Sequence, residues 1–199
     1  MNFLSGQVRK LVILLLITLP LIGVAQTPKP EDVWQPLNVF LGNWKGHGAG
    51  EPGKGKYERS YRFILNKKFI EIKNTSSWLP TDQNPKGEVH EDLGYLSYDR
   101  IRHAFVLRQF HVESFVNQYK LESISADGKK IVFISEAIEN IGVGWRAKES
   151  YQILGENEFT ETFELAPPNK EFEVYSAATL KTCQVIADEF GKPAVGMCQ

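Results

Sequence analysis

From residue 43 onward the chain alternates apolar and polar residues with period two, in runs that recur about every ten to fifteen positions. The runs lie near 43–50, 55–65, 68–78, 88–98, 102–111, 113–125, 129–139, 144–154, 157–166 and 171–181. Turn-forming residues separate them, among them Asp127-Gly128, Gly155-Glu156-Asn157 and Pro167-Pro168-Asn169. No helical stretch between them is long enough for a crossover to a parallel strand, so the pattern predicts an antiparallel meander. A meander of about ten strands either closes on itself or leaves two edges open to aggregation. The expected fold is therefore all-β, an up-and-down antiparallel barrel. Ahead of it, Asp32 to Leu41 predicts a short helix, with Trp34, Leu37 and Phe40 or Leu41 at helical spacing and Pro36 in the first turn.

The same period assigns faces. In 145-WRAKESYQI-153, Trp145, Ala147, Glu149, Tyr151 and Ile153 share the side opposite a uniformly polar set, and so point inward. In 159-FTETFEL-165 the inward set is Phe159, Glu161, Phe163 and Leu165. A turn at Gly155–Asn157 sets Glu149 opposite Phe163 and Tyr151 opposite Glu161, which makes the two acids diagonal neighbours about 7–8 Å apart at the backbone. Tyr57, Arg59, Tyr61, Phe63 and Leu65 share a face, as do Phe115, Asn117, Tyr119 and Leu121. Phe105, Leu107, Gln109 and His111 share parity, but Val106 and Phe110 opposite them are equally apolar, so their face stays open. The expected interior has aromatic walls, including Trp44, Tyr119 and Trp145, around Arg59, Asn117, Glu149, Glu161 and His111. An inward acid needs a partner, and Arg59 is the cation available to Glu149, to Glu161 or to an acidic ligand. Such an interior is either a ligand cavity with polar anchors or a barrel plugged by its own ion pairs; ten strands enclose more volume than eight, which favours the cavity.

The first residues stand apart from this pattern. Arg9 and Lys10 precede an apolar run from Leu11 to Leu21, and Gly23-Val24-Ala25 offers small residues for cleavage after Ala25. The run falls short of the roughly 20 residues that span a bilayer. Residues 1–25 therefore read as an export signal, 26–36 as linker and helix start, 37–182 as the barrel and 183–199 as a tail. The expected location is periplasmic or extracellular, with no membrane span after cleavage. The formal net charge is −1 for the whole chain, and no basic segment remains once Arg9 and Lys10 are removed, so nucleic acid is not an expected partner. The two cysteines, Cys183 and Cys198, both lie in the tail. Export permits a disulfide between them, worth roughly 3 kcal/mol for a loop of about 15 residues.

The stretch 41-LGNWKGHGAGEPGKGK-56 contains G-x-x-x-x-G-K from Gly48 to Lys54, the start of a phosphate-binding loop. Gly55 occupies the place of the magnesium-binding Ser or Thr, and a strand rather than a helix follows, so nucleotide binding is rejected. Gly46, Gly48 and Gly50 instead lie on one face of a strand and leave it bare, which suits the close approach of another backbone, a bend or a ligand. Metal ligation was weighed on the four histidines, His47, His90, His103 and His111. His103 and His111 sit roughly 26 Å apart on one strand, and no H-x-H or H-E-x-x-H spacing exists, so no metal site is expected. Glu149 and Glu161 are the candidates for an acid–base pair of the glycosidase kind, acting on a small polar substrate.

The series Gly42-x-Trp44-x-Gly46-x-Gly48-x-Gly50, the strand through Tyr57, and His90-Glu91-Asp92-Leu93-Gly94-Tyr95-Leu96 resemble the nitrobindin family of haem-binding barrels. The likeness covers most of residues 37–180 in strand order and length. It implies a ten-stranded barrel related to lipocalins and fatty-acid-binding proteins, with ferric haem in its cavity held by a histidine near the C-terminal end. It also implies isomerisation of peroxynitrite to nitrate. No histidine follows His111 in this chain, so the family's axial ligand has no counterpart and His111 could serve only from another strand. The resulting expectation is an exported barrel that binds a small hydrophobic or amphipathic ligand, with haem the named cofactor.

Overall fold

The computed structural model describes residues 32–82 and 84–182. The expected export signal and the proposed Cys183–Cys198 bridge lie outside the described residues. Ten strands follow one another: β1 (Gly42–Gly50), β2 (Gly53–Ile64), β3 (Phe69–Trp78), β4 (Glu88–Asp99), β5 (Ala104–His111), β6 (Val116–Ile124), β7 (Lys130–Glu139), β8 (Arg146–Gly155), β9 (Glu158–Ala166) and β10 (Glu173–Thr182). Each pairs antiparallel with its neighbours in sequence, and β1 pairs with β10 from Trp44↔Thr182 to Gly50↔Ser176, which closes the barrel. Every expected strand is present, with ends shifted by a few residues at most. Among the described residues no helix is long and apolar enough to cross a membrane.

The expected helix over 32–41 is a shorter 3-10 helix, Gln35–Phe40, with proline in its first turn. Leu37 N–H donates to Trp34 O (2.8 Å) and Leu41 N–H to Asn38 O (3.2 Å), the i→i+3 bonds of that form. A repeat of three aligns Leu37 with Phe40, and both are buried. This helix fills one end of the barrel. Phe40 packs on Tyr61, Tyr151 and Phe159 at ring-centroid distances of 5.6, 5.0 and 5.1 Å, and Trp34 packs on Phe63 and Phe105. Trp44 Nε1–H donates to Phe40 O at 2.6 Å and fixes the helix to β1.

On the fifth strand, whose face alternation left open, Phe105 and Leu107 join the interior core and Gln109 and His111 line the cavity, whereas Val106 is buried outside that core and Phe110 is half exposed. One inward assignment is corrected: Leu65 does not continue the face of Tyr61. It leaves β2 for a turn in which Leu65, Asn66 and Lys67 all adopt positive φ, and it is exposed.

The bare face of β1 is occupied by backbone. A Cβ on Gly46 would lie 2.8 Å from the Thr179 carbonyl carbon and 2.9 Å from Leu180 Cα; one on Gly48 would lie 2.8 Å from Ala178 Cα. Of the three uses open to a strand with glycine at alternate positions, this chain employs close backbone approach. The consequence is measurable. Gly46→Ala is expected to lower the free energy of unfolding by about 1–3 kcal/mol, the usual cost of overpacking a tight site. Gly155→Ala, where an added Cβ meets nothing within 4 Å, serves as the control, and equal urea midpoints for the two variants would refute the closure argument.

Candidate functional site

Along β3, β4, β5 and β8 the inward side chains change character at one level. On β3 the order is Ile70 and Ile72, then Asn74 and Ser76; on β5, Leu107, then Gln109 and His111. On β4, Leu96 gives way through Gly94 to Asp92 and His90, and on β8, Tyr151 gives way to Glu149. The apolar members pack beneath the 3-10 helix, where only a void of about 20 Å³ remains among them. The polar members line an open cavity of about 340 Å³, with aromatic walls from Tyr57, Trp78, Phe115, Trp145, Phe163 and Tyr175. The barrel is packed at one end and hollow at the other.

Arg59 crosses the lumen from β2 to meet Glu161 of β9. Its Nη2 donates to Oε1 (2.6 Å) and its Nε to Oε1 and Oε2 (3.1 and 3.0 Å). Nη1 donates to Glu58 O, Thr75 O and Ser76 Oγ. The side chains are 5 % and 11 % exposed, so the pair is nearly dry, and the guanidinium also lies 5.2 Å from the Tyr57 ring centroid. Of the two expected partners for Arg59, the one that takes it is Glu161.

Glu149 is left without such a partner. The register is the expected one, Glu149↔Phe163 and Tyr151↔Glu161. The carboxyl is buried, lines the cavity, and has no hydrogen bond or ion pair with another described residue. Burial, reinforced by the charges of Glu161 and Asp92, pushes its pKa well above the ordinary glutamate range. Two buried carbonyl oxygens on the same cavity are also unpaired, Asn74 Oδ1 and Gln109 Oε1. The orientation of Asn74 is fixed because its Nδ2 donates to Asp92 Oδ1 at 2.9 Å, so the end left free is the acceptor.

On the far side of the lumen β4 and β5 gather two histidines and an acid. Asp92 lies directly opposite His111, and His90 shares the face of Asp92 two residues before it. His111 Nδ1 is 3.2 Å from His90 Nε2; His90 Nδ1 is 2.8 Å from Glu113 Oε1; and Asn117 Nδ2 is 3.1 Å from His111 Nε2. Burial opposes charge on His90, but the carboxylates of Asp92 and Glu113 outweigh it and raise its pKa. Burial keeps the pKa of His111 below the ordinary value.

Arg59, His111, Asn117, Trp145, Glu149 and Glu161 therefore line one cavity. Two expected wall residues do not. Trp44 is buried against Phe159 (4.7 Å between ring centroids) at the packed end. Tyr119 is wholly buried, with its hydroxyl accepting from Asn117 Nδ2 at 2.9 Å. Both point inward, but at a level below the cavity. Sequence reasoning missed His90 and Asp92, although their shared parity with Gly94 and Leu96, combined with the short turn between β4 and β5, carries the signal.

Two outcomes follow from these electrostatics. Arg59→Met leaves Glu161 buried without its cation and is expected to destabilise the fold by about 3–5 kcal/mol. Arg59→Met with Glu161→Leu is expected to recover most of that loss in urea unfolding; a double variant as unstable as the single one would deny the coupling. For Glu149, the folded chain keeps the proton above pH 4.5, where the unfolded chain loses it. The folded state then holds more protons, so the native protein loses stability as pH rises from about 4.5 through the folded-state pKa. Glu149→Gln cannot ionise, and its thermal midpoint should gain on that of the parent over this window and match its trend below it. Parallel curves for the two proteins would remove Glu149 as a raised carboxyl.

No family model and no curated protein matches the chain. Among solved structures, the crystal structure of Rv2717c from M. tuberculosis is similar, with a TM-score of 0.59 and 19 % identity, covering 77 % of this chain and 98 % of that one. At that identity the likeness establishes the fold, a calycin-like ten-stranded barrel.

Proposed function

We propose that the barrel holds one small amphipathic molecule whose head group donates hydrogen bonds, an ammonium head above all. One observation carries the reading: the Glu149 carboxyl, Asn74 Oδ1 and Gln109 Oε1 are buried acceptors without partners among the described residues, and all face the same cavity of about 340 Å³. An unpaired buried acceptor costs about 1–3 kcal/mol, and a bound donor removes that cost. The aromatic walls suit the apolar remainder of such a ligand, and their faces favour a cation. The export signal read in residues 1–25 supports a site of binding outside the cytoplasm.

Haem fits these residues poorly. Its two propionates would enter a lining that holds Glu88, Asp92, Glu113, Glu149 and Glu161 against one arginine, already committed to Glu161. The histidines on the cavity, His90 and His111, stand on β4 and β5, not near the C-terminal end where the resemblance puts the haem ligand. Turnover by Glu149 and Glu161 as acid and base finds half its requirements here. Burial raises the pKa of Glu149, as a general acid requires, but Arg59 occupies both oxygens of Glu161, which leaves no free base.

Tryptophan fluorescence from Trp78 and Trp145 reports on the cavity directly. Titration with a medium-chain alkylammonium is expected to saturate at one per chain, while the carboxylate of equal chain length binds far more weakly. Glu149→Gln should weaken the ammonium roughly tenfold to a hundredfold, the worth of one charge-assisted hydrogen bond (about 1.5–3 kcal/mol). Equal affinity for the two heads, or stoichiometric haem uptake with a Soret band, would overturn the proposal.

A further inference from the structure

We infer that His90, Asp92 and His111 form a binding site for a divalent transition-metal ion, zinc being the reference case. His90 Nε2, His111 Nδ1 and an Asp92 carboxylate oxygen all lie within 4.8 Å of one another. The two nitrogens are 3.2 Å apart, and His90 Nε2 is 3.6 Å from Asp92 Oδ2. An ion with bonds of about 2.0–2.1 Å in tetrahedral geometry sets its ligands about 3.3 Å apart; the two His90 separations are close to that, and the third, within 4.8 Å, closes by side-chain rotation. Two imidazoles and one carboxylate also form the mixed donor set that selects transition metals over calcium or magnesium.

The surroundings are already those of a metal site. His90 donates from Nδ1 to Glu113, the carboxylate–histidine contact that turns the Nε2 lone pair toward a metal. Asn74 holds Asp92 Oδ1, which leaves Oδ2, on a buried residue, with its nearest basic nitrogen beyond hydrogen-bonding reach. His111 in its neutral form supplies Nδ1 when its proton sits on Nε2. A turn of the Asn117 amide, which exchanges its O and N ends, then gives that proton an acceptor. Asn117 and the Tyr119 hydroxyl exchange donor and acceptor roles in the same move.

All three ligands line the cavity. Three protein ligands leave a fourth position vacant on a tetrahedral ion, and that position faces the lumen, as in metal sites that bind a water or substrate. The ion lies on the β4–β5 wall, three to four strands around the ring from Glu149 on β8. It also supplies positive charge on the side where Asp92 and Glu113 have no arginine or lysine partner. The site stands independently of the ammonium reading, because it uses none of the unpaired acceptors.

The test is zinc binding to the purified, tag-free chain after chelator treatment, followed by calorimetry, with cobalt absorption as a second probe. One zinc per chain is expected, together with a visible cobalt spectrum of low coordination number. Asp92→Asn and His111→Ala should abolish binding, and Glu113→Gln should weaken it roughly 10–100-fold. His47→Ala, on the exposed outside of β1, should bind as the parent does. If a ligand variant fails to fold, the parent protein decides the matter by imidazole nitrogen NMR. Zinc should shift His90 and His111 and leave His47 and His103 in place. No saturable uptake, uptake unchanged by Asp92→Asn, or equal shifts of all four histidines would overturn the site while leaving the ligand cavity untouched.

Discussion

The close approach of β1 to β10 is the constraint on which the rest of the molecule depends. Without a side chain at Gly46, Gly48 and Gly50, the backbone of β10 can lie where Cβ atoms would stand, and the meander becomes a ring with no exposed edge. Closure also decides who meets whom inside. Arg59 and Glu161 are 102 residues apart in sequence and on strands that do not pair, since β1 and β10 lie between β2 and β9. They meet only because the glycine-lined strip brings β2 around to face β9. A barrel closed elsewhere would leave two buried charges without partners, each costing several kcal/mol.

Closure creates a second problem, because ten strands enclose more volume than inward side chains fill. The chain solves it at one end alone. The 3-10 helix inserts Leu37 and Phe40, and Trp44 holds it there through its carbonyl. The other end stays hollow and carries most of the interior polarity. The division is economical in physical terms: apolar burial in the packed half supplies the stability that lets the open half hold groups that contribute little to it. Functional sites commonly draw on stability in this way.

Much of this was legible before any coordinates. Alternation in residues 145–165 gave the inward acids and, through the Gly155–Asn157 turn, their register. What alternation cannot provide is height. Period two states whether a residue faces in or out, whereas its level along the barrel axis depends on strand stagger. Trp44 and Tyr119 were read as cavity walls for that reason; both face in, but below the cavity. Height could still be inferred from composition along a strand. The run Leu96, Gly94, Asp92, His90 crosses from the packed half to the open half over four inward positions. The same stagger hid the pairing of His90 with His111, which needs the β4–β5 register as well as parity. Leu65 failed differently, since alternation continues past the strand end while the backbone has already entered a left-handed turn.

The open half is difficult to explain as structure alone. A plugged barrel would satisfy its polar groups internally, as Arg59 and Glu161 do. Asn74 Oδ1 and Gln109 Oε1 are not satisfied, Glu149 has no hydrogen bond or ion pair with another described residue, and Asp92 presents one oxygen to His90 at 3.6 Å. A buried acceptor without a donor destabilises the fold that contains it. Each such group could be replaced by an apolar residue of similar size with a gain in stability. Their convergence on one cavity, from β3, β4, β5 and β8, gives them a common cause. The proposed ligand head at Glu149 and the proposed ion at Asp92 would supply from outside the chain what these groups lack.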